Sequence, residues 1–371
     1  MKKIILVAGA RPNFMKIAPI IRALENEKNA EYVLVHTGQH YDAGMSQTFF
    51  GELGIPNPHH NLNVGSASHA VQTANIMIRF EEVCLKEKPD VVVVVGDVNS
   101  TAACGLVAKK LCIDLAHVEA GLRSNDRAMP EEINRIVTDA VSDYLFVTEP
   151  SGVSNLTREG HPQSRIHYVG HVMIDNLYYQ LEKLSTAAPV IGTEIKSKIS
   201  QRYAVVTMHR PSNVDNRETL ARLLAVFGRI AEKTPVVFPC HPRTLGRIRE
   251  FKLDHLCSFW KSGDAIHGGL VITPPLGYMD FLCLWKDALC VMTDSGGLQE
   301  ETTALKIPCI TFRETTERPV TAEIGSNEVV GTDTDKIADL FEKACAGRWK
   351  KSRVPELWDG KASERIVRTL A

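Results

Sequence analysis

Five consecutive valines, Val91–Val95, followed by Gly96-Asp97, constrain this chain more than any other stretch. An amphipathic helix repeats its apolar residues every three or four positions, and a half-exposed strand every second one. An unbroken β-branched run does neither. It fits a strand covered on both faces, the central strand of a parallel sheet with helices on each side. The fold class that follows is α/β.

Other segments repeat the pattern of an apolar strand ending in a polar turn that opens a helix. Residues 3–8 lead to Gly9-Ala10-Arg11-Pro12-Asn13-Phe14-Met15-Lys16, after which Ile17, Ile20, Ile21 and Leu24 fall at helical spacing. That turn lacks the GxGxxG fingerprint, which disfavours a nicotinamide cofactor. Residues 32–37 run into Gly38-Gln39-His40-Tyr41-Asp42, and residues 115–118 into Glu119-Ala120-Gly121. Doubly wound sheets bind ligands at the carboxyl ends of their strands. Arg11, His40, Asp97 and Glu119 therefore share one rim, with the Pro130 helix start nearby. Each alone has a plainer reading: solvated charge for Arg11 and Lys16, an N-cap for Asp97. Pro130 followed by Glu131 and Glu132 is good helix-start chemistry, so one of those two acids serves only that.

A loose segment at 185–189 separates a second β/α series. Its strands, at 203–208, 236–238 and 270–273, end in His209-Arg210, His241-Pro242 and Pro274-Pro275-Leu276-Gly277-Tyr278, the last ahead of a helix carrying Phe281. His209 reads alternatively as a satisfied buried histidine. Residues 288–292 deliver Thr293-Asp294-Ser295-Gly296-Gly297, then a helix with Glu300 and Glu301, and residues 307–312 return a cation in Arg313-Glu314-Thr315-Thr316-Glu317-Arg318. Serine and two glycines at a helix start let bare N–H groups meet an anion, helped by the helix dipole. A tight strand-to-helix turn would need the same residues, but the acids and the returning arginine point to a nucleotide-diphosphate pocket.

With 371 residues, 44% of them hydrophobic, the chain has core enough for two domains. A net charge of -1 gives no bulk attraction to nucleic acid or anionic membrane, so any anion site is local. The nine cysteines form no CxxC pair and read as reduced core thiols of a cytoplasmic protein. No histidine–acid grouping has metal spacing. Residues 4–7 after Met1-Lys2-Lys3 read as a first strand rather than a leader, and no run approaches the length of a membrane helix.

Taken together, GARPNFMKIAP, TGQH, VGDVNST, HVEAGLRS, MPEEINR, TMHR, PLGYMDF, TDSGGLQEE, TTERP and DGKASERIV resemble, in order, the non-hydrolysing UDP-N-acetylglucosamine 2-epimerases. The resemblance spans essentially the whole chain. It implies two Rossmann-like doubly wound domains facing across a cleft, the GT-B architecture: residues 1–172 with the acid/base carboxylates, 173–353 binding UDP, and 354–371 returning to the first domain. It implies a homodimer with no metal or redox cofactor. Ser295, Gly296 and Gly297 would hold the diphosphate, Glu301 the ribose hydroxyls and Phe281 the uracil, with Arg11, His209 and Arg318 around the phosphates. Asp97, Glu119 and Glu131 match the family's acid/base carboxylates, with His209 beside them as catalytic. Lys16, Arg135 and Tyr278 fall among the substrate-binding residues.

The chain departs from the family at Asn13, where many members have Glu, and at VGDVNS, where HGDTTT is commoner. An activating substrate site found in some members is only partly matched: Gln39 and His241 fit, Asp42 and Pro211 do not. The NFMK and VNST variants also occur in relatives acting on UDP-2,3-diacetamido-uronates. A GT-B glycosyltransferase and a non-catalytic sugar-nucleotide-binding module are the competing readings. The first would not exchange the C2 proton, and the second has no use for three carboxylates.

Overall fold

The valine run lies in the middle of a seven-stranded sheet in which every pairing is parallel. The computed structural model describes residues 1–39, 47–186 and 190–371. The first sheet comprises β1 (Lys2–Ala8), β2 (Ala30–His36), β3 (His60–Asn61), β4 (Val91–Val95), β5 (Asp114–Val118), β6 (Tyr144–Val147) and β7 (Ile166–Tyr168). Their order is β3-β2-β1-β4-β5-β6-β7, so the winding reverses between β1 and β4. Val91, Val93 and Val95 pack with Phe14 and Ile17 of the helix Arg11–Glu25. Val92 and Val94 pack on the opposite face with Phe80 and Val107, from the helices His69–Glu87 and Asn99–Lys110. No face of β4 meets water, which is why no polar residue interrupts it.

The second sheet is built the same way from β8 (Ala204–Thr207), β9 (Val236–Pro239), β10 (Ser258–Phe259), β11 (Leu270–Thr273), β12 (Cys290–Thr293), β13 (Cys309–Thr311) and β14 (Asn327–Val329). Its order, β10-β11-β9-β8-β12-β13-β14, reverses between β8 and β12. β3 and β10, two residues each, are too short to carry a periodicity and escape a pattern-based reading, as does β14.

The chain divides into two units, Met1–Leu177 with Glu356–Ala371, and Tyr178–Pro355. The first passage falls inside the helix Val172–Thr186. The tail helix Ala362–Leu370 belongs to the first unit, where Ala362, Ile366, Val367 and Leu370 join Phe14 and Ile17 in one core. Asp175 fastens its start: the carboxylate accepts from Ala362 N at 3.1 Å and from Ser363 N and Oγ, both at 2.7 Å. Trp358, 1% exposed, donates from Nε1 to the Thr148 carbonyl at 3.1 Å. All nine cysteines are free thiols, and Cys112 is exposed rather than in the core, at φ 58° in the turn after its helix.

Candidate active site

In the first unit the polar residues gather where the strand order reverses. At the end of β1, Asn13 ties the turn to its neighbour: Oδ1 accepts from Gly9 N at 3.1 Å and Ala10 N at 2.9 Å, and Nδ2 donates to the Val95 carbonyl at 3.2 Å. Asn13, noted in the sequence only as a departure, thus stitches β1 to β4. Arg11 stands exposed at the helix start. One turn on, Lys16 reaches across and forms an ion pair with Glu119, itself 3% exposed. Glu119 leaves β5 with φ 73°, in the left-handed region, and both its N–H and that of Ala120 donate to the Phe146 carbonyl at 3.1 Å. The turn after β4 also has positive φ, 68° at Gly96. A Cβ there would lie 3.0 Å from Lys16 Nζ and 3.5 Å from Glu119 Oε2, so with its positive φ the position favours glycine.

Asp97 forms its own ion pair, with Arg135 from the helix Pro130–Val141, while Asn134 of that helix donates to the Asp97 carbonyl at 2.9 Å. The two acids at the helix start divide as their chemistry demands. Glu132 is 2% exposed and accepts from Ser124 N, Asn125 N and Arg135 at 2.9–3.0 Å. Burial alone would raise its pKa, but those donors outweigh it and hold the carboxyl below the usual range. Glu131 stays exposed. His40 and Asp42 lie outside the described residues. Gln39 is buried, its Oε1 accepting from Ser100 N at 3.0 Å and Oγ at 2.7 Å.

Beneath these turns is a buried group that sequence reasoning passed over. His117 and Asp139, both wholly inaccessible, meet at 2.6 Å between Nδ1 and Oδ1. The Asp139 Oδ2 takes the Gly121 N–H at 3.0 Å and Arg123 at 2.7 Å. Burial would push the Asp139 pKa up, but His117 and Arg123 reverse that and hold it low.

The second unit repeats the arrangement at its own reversal. Asp294, at the end of β12, is completely buried and accepts from the N–H groups of His209 and Arg210 at 2.8–3.2 Å and from Asn213 Nδ2 at 3.1 Å. It also faces Nδ1 of the half-exposed His209 ring at 3.1 Å. Burial opposes its ionisation, yet His209 and the backbone donors keep the carboxyl below its ordinary value. Ser295 precedes the helix Gly296–Ala304 without a capping hydrogen bond from its side chain. A Cβ built on Gly296 or Gly297 would meet nothing within 4 Å, and neither has positive φ, so the fold itself does not require these glycines. Open space above bare N–H groups is what an approaching anion needs.

Behind the helix start, Glu301 is 5% exposed and accepts from the Tyr278 hydroxyl at 2.7 Å. Burial pushes its carboxyl up to about 7, opposed by the Tyr278 hydrogen bond and assisted by Glu300. Glu300 pairs with Arg318, which the sequence placed near the phosphates. The loop bearing Arg318 is fixed further by Thr316 donating to Gln299 Oε1 at 2.7 Å and by Arg313 gripping Glu317 at 2.8 and 2.9 Å. Against the burial that would raise it, that grip carries the Glu317 carboxyl down to about 2. Phe281 is half-buried on the helix Tyr278–Trp285. Among the described residues no three His, Cys, Asp or Glu side chains are grouped as metal ligands.

Fold and site define a class of protein: two doubly wound units, one with two ion-paired carboxylates at its switch point, the other with a glycine-opened helix and a buried acid behind it. The family model for UDP-N-acetylglucosamine 2-epimerase matches residues 22–371. The UDP-N-acetylglucosamine 2-epimerase of Methanocaldococcus jannaschii is 44% identical over 99% of this chain and 98% of its own length. The chain belongs to this family. A crystal structure of the M. jannaschii protein in complex with UDP-GlcNAc and UDP superposes with a TM-score of 0.83, covering 100% of this chain and 99% of that one. The UDP-2,3-diacetamido-2,3-dideoxy-D-glucuronate 2-epimerase of Pseudomonas aeruginosa is 35% identical, over 100% of this chain and 99% of its own.

Proposed function

We propose that the protein interconverts UDP-N-acetylglucosamine and UDP-N-acetylmannosamine by eliminating UDP to 2-acetamidoglucal and adding it back. The observation that carries this reading is the pair of carboxylates at the first unit's switch point, Asp97 and Glu119, each held by its own cation. The C2 hydrogen of an N-acetylhexosamine has no neighbouring carbonyl, so direct deprotonation would leave an unstabilised carbanion. Elimination avoids this. A carboxylate takes the C2 proton, the C–H pair becomes the C1=C2 bond, and the C1–O pair leaves with the diphosphate.

The N–H groups at Ser295, Gly296 and Gly297, with Arg11, His209 and Arg318, receive that charge, each such donor contributing roughly 3 kcal/mol in a closed site. Glu301, held by Tyr278, takes the ribose hydroxyls, and Phe281 packs on the uracil. Reprotonation from the opposite face needs a second group, which is why more than one of Asp97, Glu119 and Glu131 is required. Ion pairing to Lys16 and Arg135 fixes two of them in place, leaving the exposed Glu131 to meet the ring.

Proton NMR of UDP-GlcNAc incubated with the protein in D₂O tests this. The expected result is UDP-ManNAc with deuterium at C2; epimerisation without solvent isotope would sink the elimination. The P. aeruginosa relative supports a second substrate, a UDP-2,3-diacetamido-uronate. Turnover of that compound beside inert UDP-GlcNAc would move the substrate and keep the chemistry.

The protein acts as a homodimer in this reading. On the helix His69–Glu87, Val71, Ile78 and Leu85 recur every seventh residue and are 52%, 60% and 60% exposed, an apolar stripe that a second copy would cover. The free thiols fit a reducing, cytoplasmic setting.

A further inference from the structure

Both catalytic turns of the first unit rest on one buried imidazole. His117, on β5, has its Nε2 2.8 Å from the Gly96 carbonyl, which can only accept, so that nitrogen carries hydrogen and donates. Its Nδ1 faces Asp139 Oδ1 at 2.6 Å, and Asp139 in turn takes the Gly121 N–H at 3.0 Å. One side chain therefore ties down the peptide that joins Gly96 to Asp97 and, through Asp139, the turn that follows Glu119.

Those turns are not relaxed backbone. Gly96, Glu119 and Gly121 all have positive φ, 68°, 73° and 78°. For Glu119, which has a Cβ, the left-handed conformation costs about 1–2 kcal/mol and persists only where its surroundings impose it. Backbone donation to the Phe146 carbonyl and the ion pair to Lys16 hold Glu119 itself. For the Gly96 carbonyl, the hydrogen bond from His117 is the hold from beneath. Released, the Gly96–Asp97 peptide can rotate and carry the Asp97 side chain off its bearing.

We infer that His117 is a positioning residue for proton transfer: it touches no substrate, and holds Asp97 on its bearing against Glu119 by anchoring the Gly96 carbonyl. This rests on the epimerase reading above. Misplacing a catalytic group by about 1 Å can cost on the order of 10²-fold in rate.

The test uses two amides that divide the imidazole between them. In His117→Gln the amide nitrogen falls near the place of Nε2 and can still donate to Gly96. In His117→Asn it falls near Nδ1, keeping Asp139 and abandoning Gly96. Steady-state kinetics with UDP-GlcNAc should give His117→Asn a kcat lower by about 10²-fold with KM and calorimetric UDP affinity unchanged. His117→Gln should recover most of that loss. Both are compared at a temperature where circular dichroism shows native structure. A folded His117→Asn with wild-type kcat, or a folded His117→Gln as slow as its partner, overturns the inference, as does a KM that rises in step with the fall in kcat. Should His117→Asn fail to fold, His117→Gln alone decides: near-native kcat supports anchoring, and a large loss refutes it. An inert wild-type enzyme would instead refute the reaction itself, which the same assay shows before either variant is compared.

Discussion

Replacing Glu301 by Gln should abolish a proton release that accompanies ligand binding. Burial drives this carboxyl from its ordinary 4.5 up to about 7, the Tyr278 hydroxyl opposing and Glu300 assisting. At pH 7 the group is then about half protonated. A ribose diol donates two O–H groups, and the ionised carboxylate can accept both while keeping Tyr278. Ligand binding selects that form and expels about 0.5 proton at pH 7, about 0.9 at pH 6 and about 0.1 at pH 8. Affinity should accordingly be about tenfold weaker at pH 6 than at pH 8. UDP-GlcNAc is the ligand to use, because its diphosphate is doubly esterified and does not titrate in this window. Calorimetry in buffers of different ionisation enthalpy counts the protons. Glu301→Gln should release none through this site and lose the pH dependence. Equal proton release by wild type and variant would refute the assignment of Glu301 to the ribose.

The same group sets a stability trend in the ligand-free protein. Its folded pKa is raised, so its contribution is fully present below 4.5 and is lost as pH climbs through about 7. The span corresponds to about 3 kcal/mol at most. Urea unfolding at pH 5 and pH 8 should show the loss in wild type and not in Glu301→Gln.

Gly96→Ala should lower kcat at least tenfold and destabilise by about 1–2 kcal/mol, because an alanine at positive φ is strained and its methyl crowds Lys16; thermal melts and kinetics check it, and a neutral effect on both would show the turn to be slack. If the proposed roles hold, with Ser295 at the nucleotide and Asp97 at the sugar, Ser295→Ala should weaken UDP binding by calorimetry, whereas Asp97→Asn should barely change it. Leu370→Ala, at a position 1% exposed one residue from the end, should cost about 2–5 kcal/mol in chemical denaturation; a cost under 1 kcal/mol would mean the tail helix is not integral.

What the sequence made legible was anything local: the valine strand, the polar strand ends, the glycine-opened helix, and the two acids of which one would serve the helix start. Pairings between distant segments were hidden. Lys16 and Glu119 are 103 residues apart, and they meet only because β1 and β5 flank β4. Asp294 looked like the last residue of a strand; its grip on His209 and Arg210 depends on β8 and β12 being neighbours, which chain order does not state. His117 sits inside an apolar strand, where one histidine carries no signal until Asp139 and the Gly96 carbonyl are placed around it. Motif resemblance supplied candidates for contact with substrate, and was silent on what holds them.

The tail helix has a consequence for how the protein is made. Leu370 and Ile366 complete a core whose other members, Phe14 and Ile17, leave the ribosome first. Everything from Tyr178 to Pro355 must be translated in between, some tens of seconds at roughly 5–20 residues per second. Throughout that interval the opening segment has an unfilled groove, and at its end the middle segment is complete in sequence while the groove still waits for the tail. Maturation should thus run out of chain order, the middle finishing before the beginning. A nascent chain stalled a few residues short would carry a finished second unit and a first unit with an open hydrophobic seam, the sort of species that chaperones and proteases recognise.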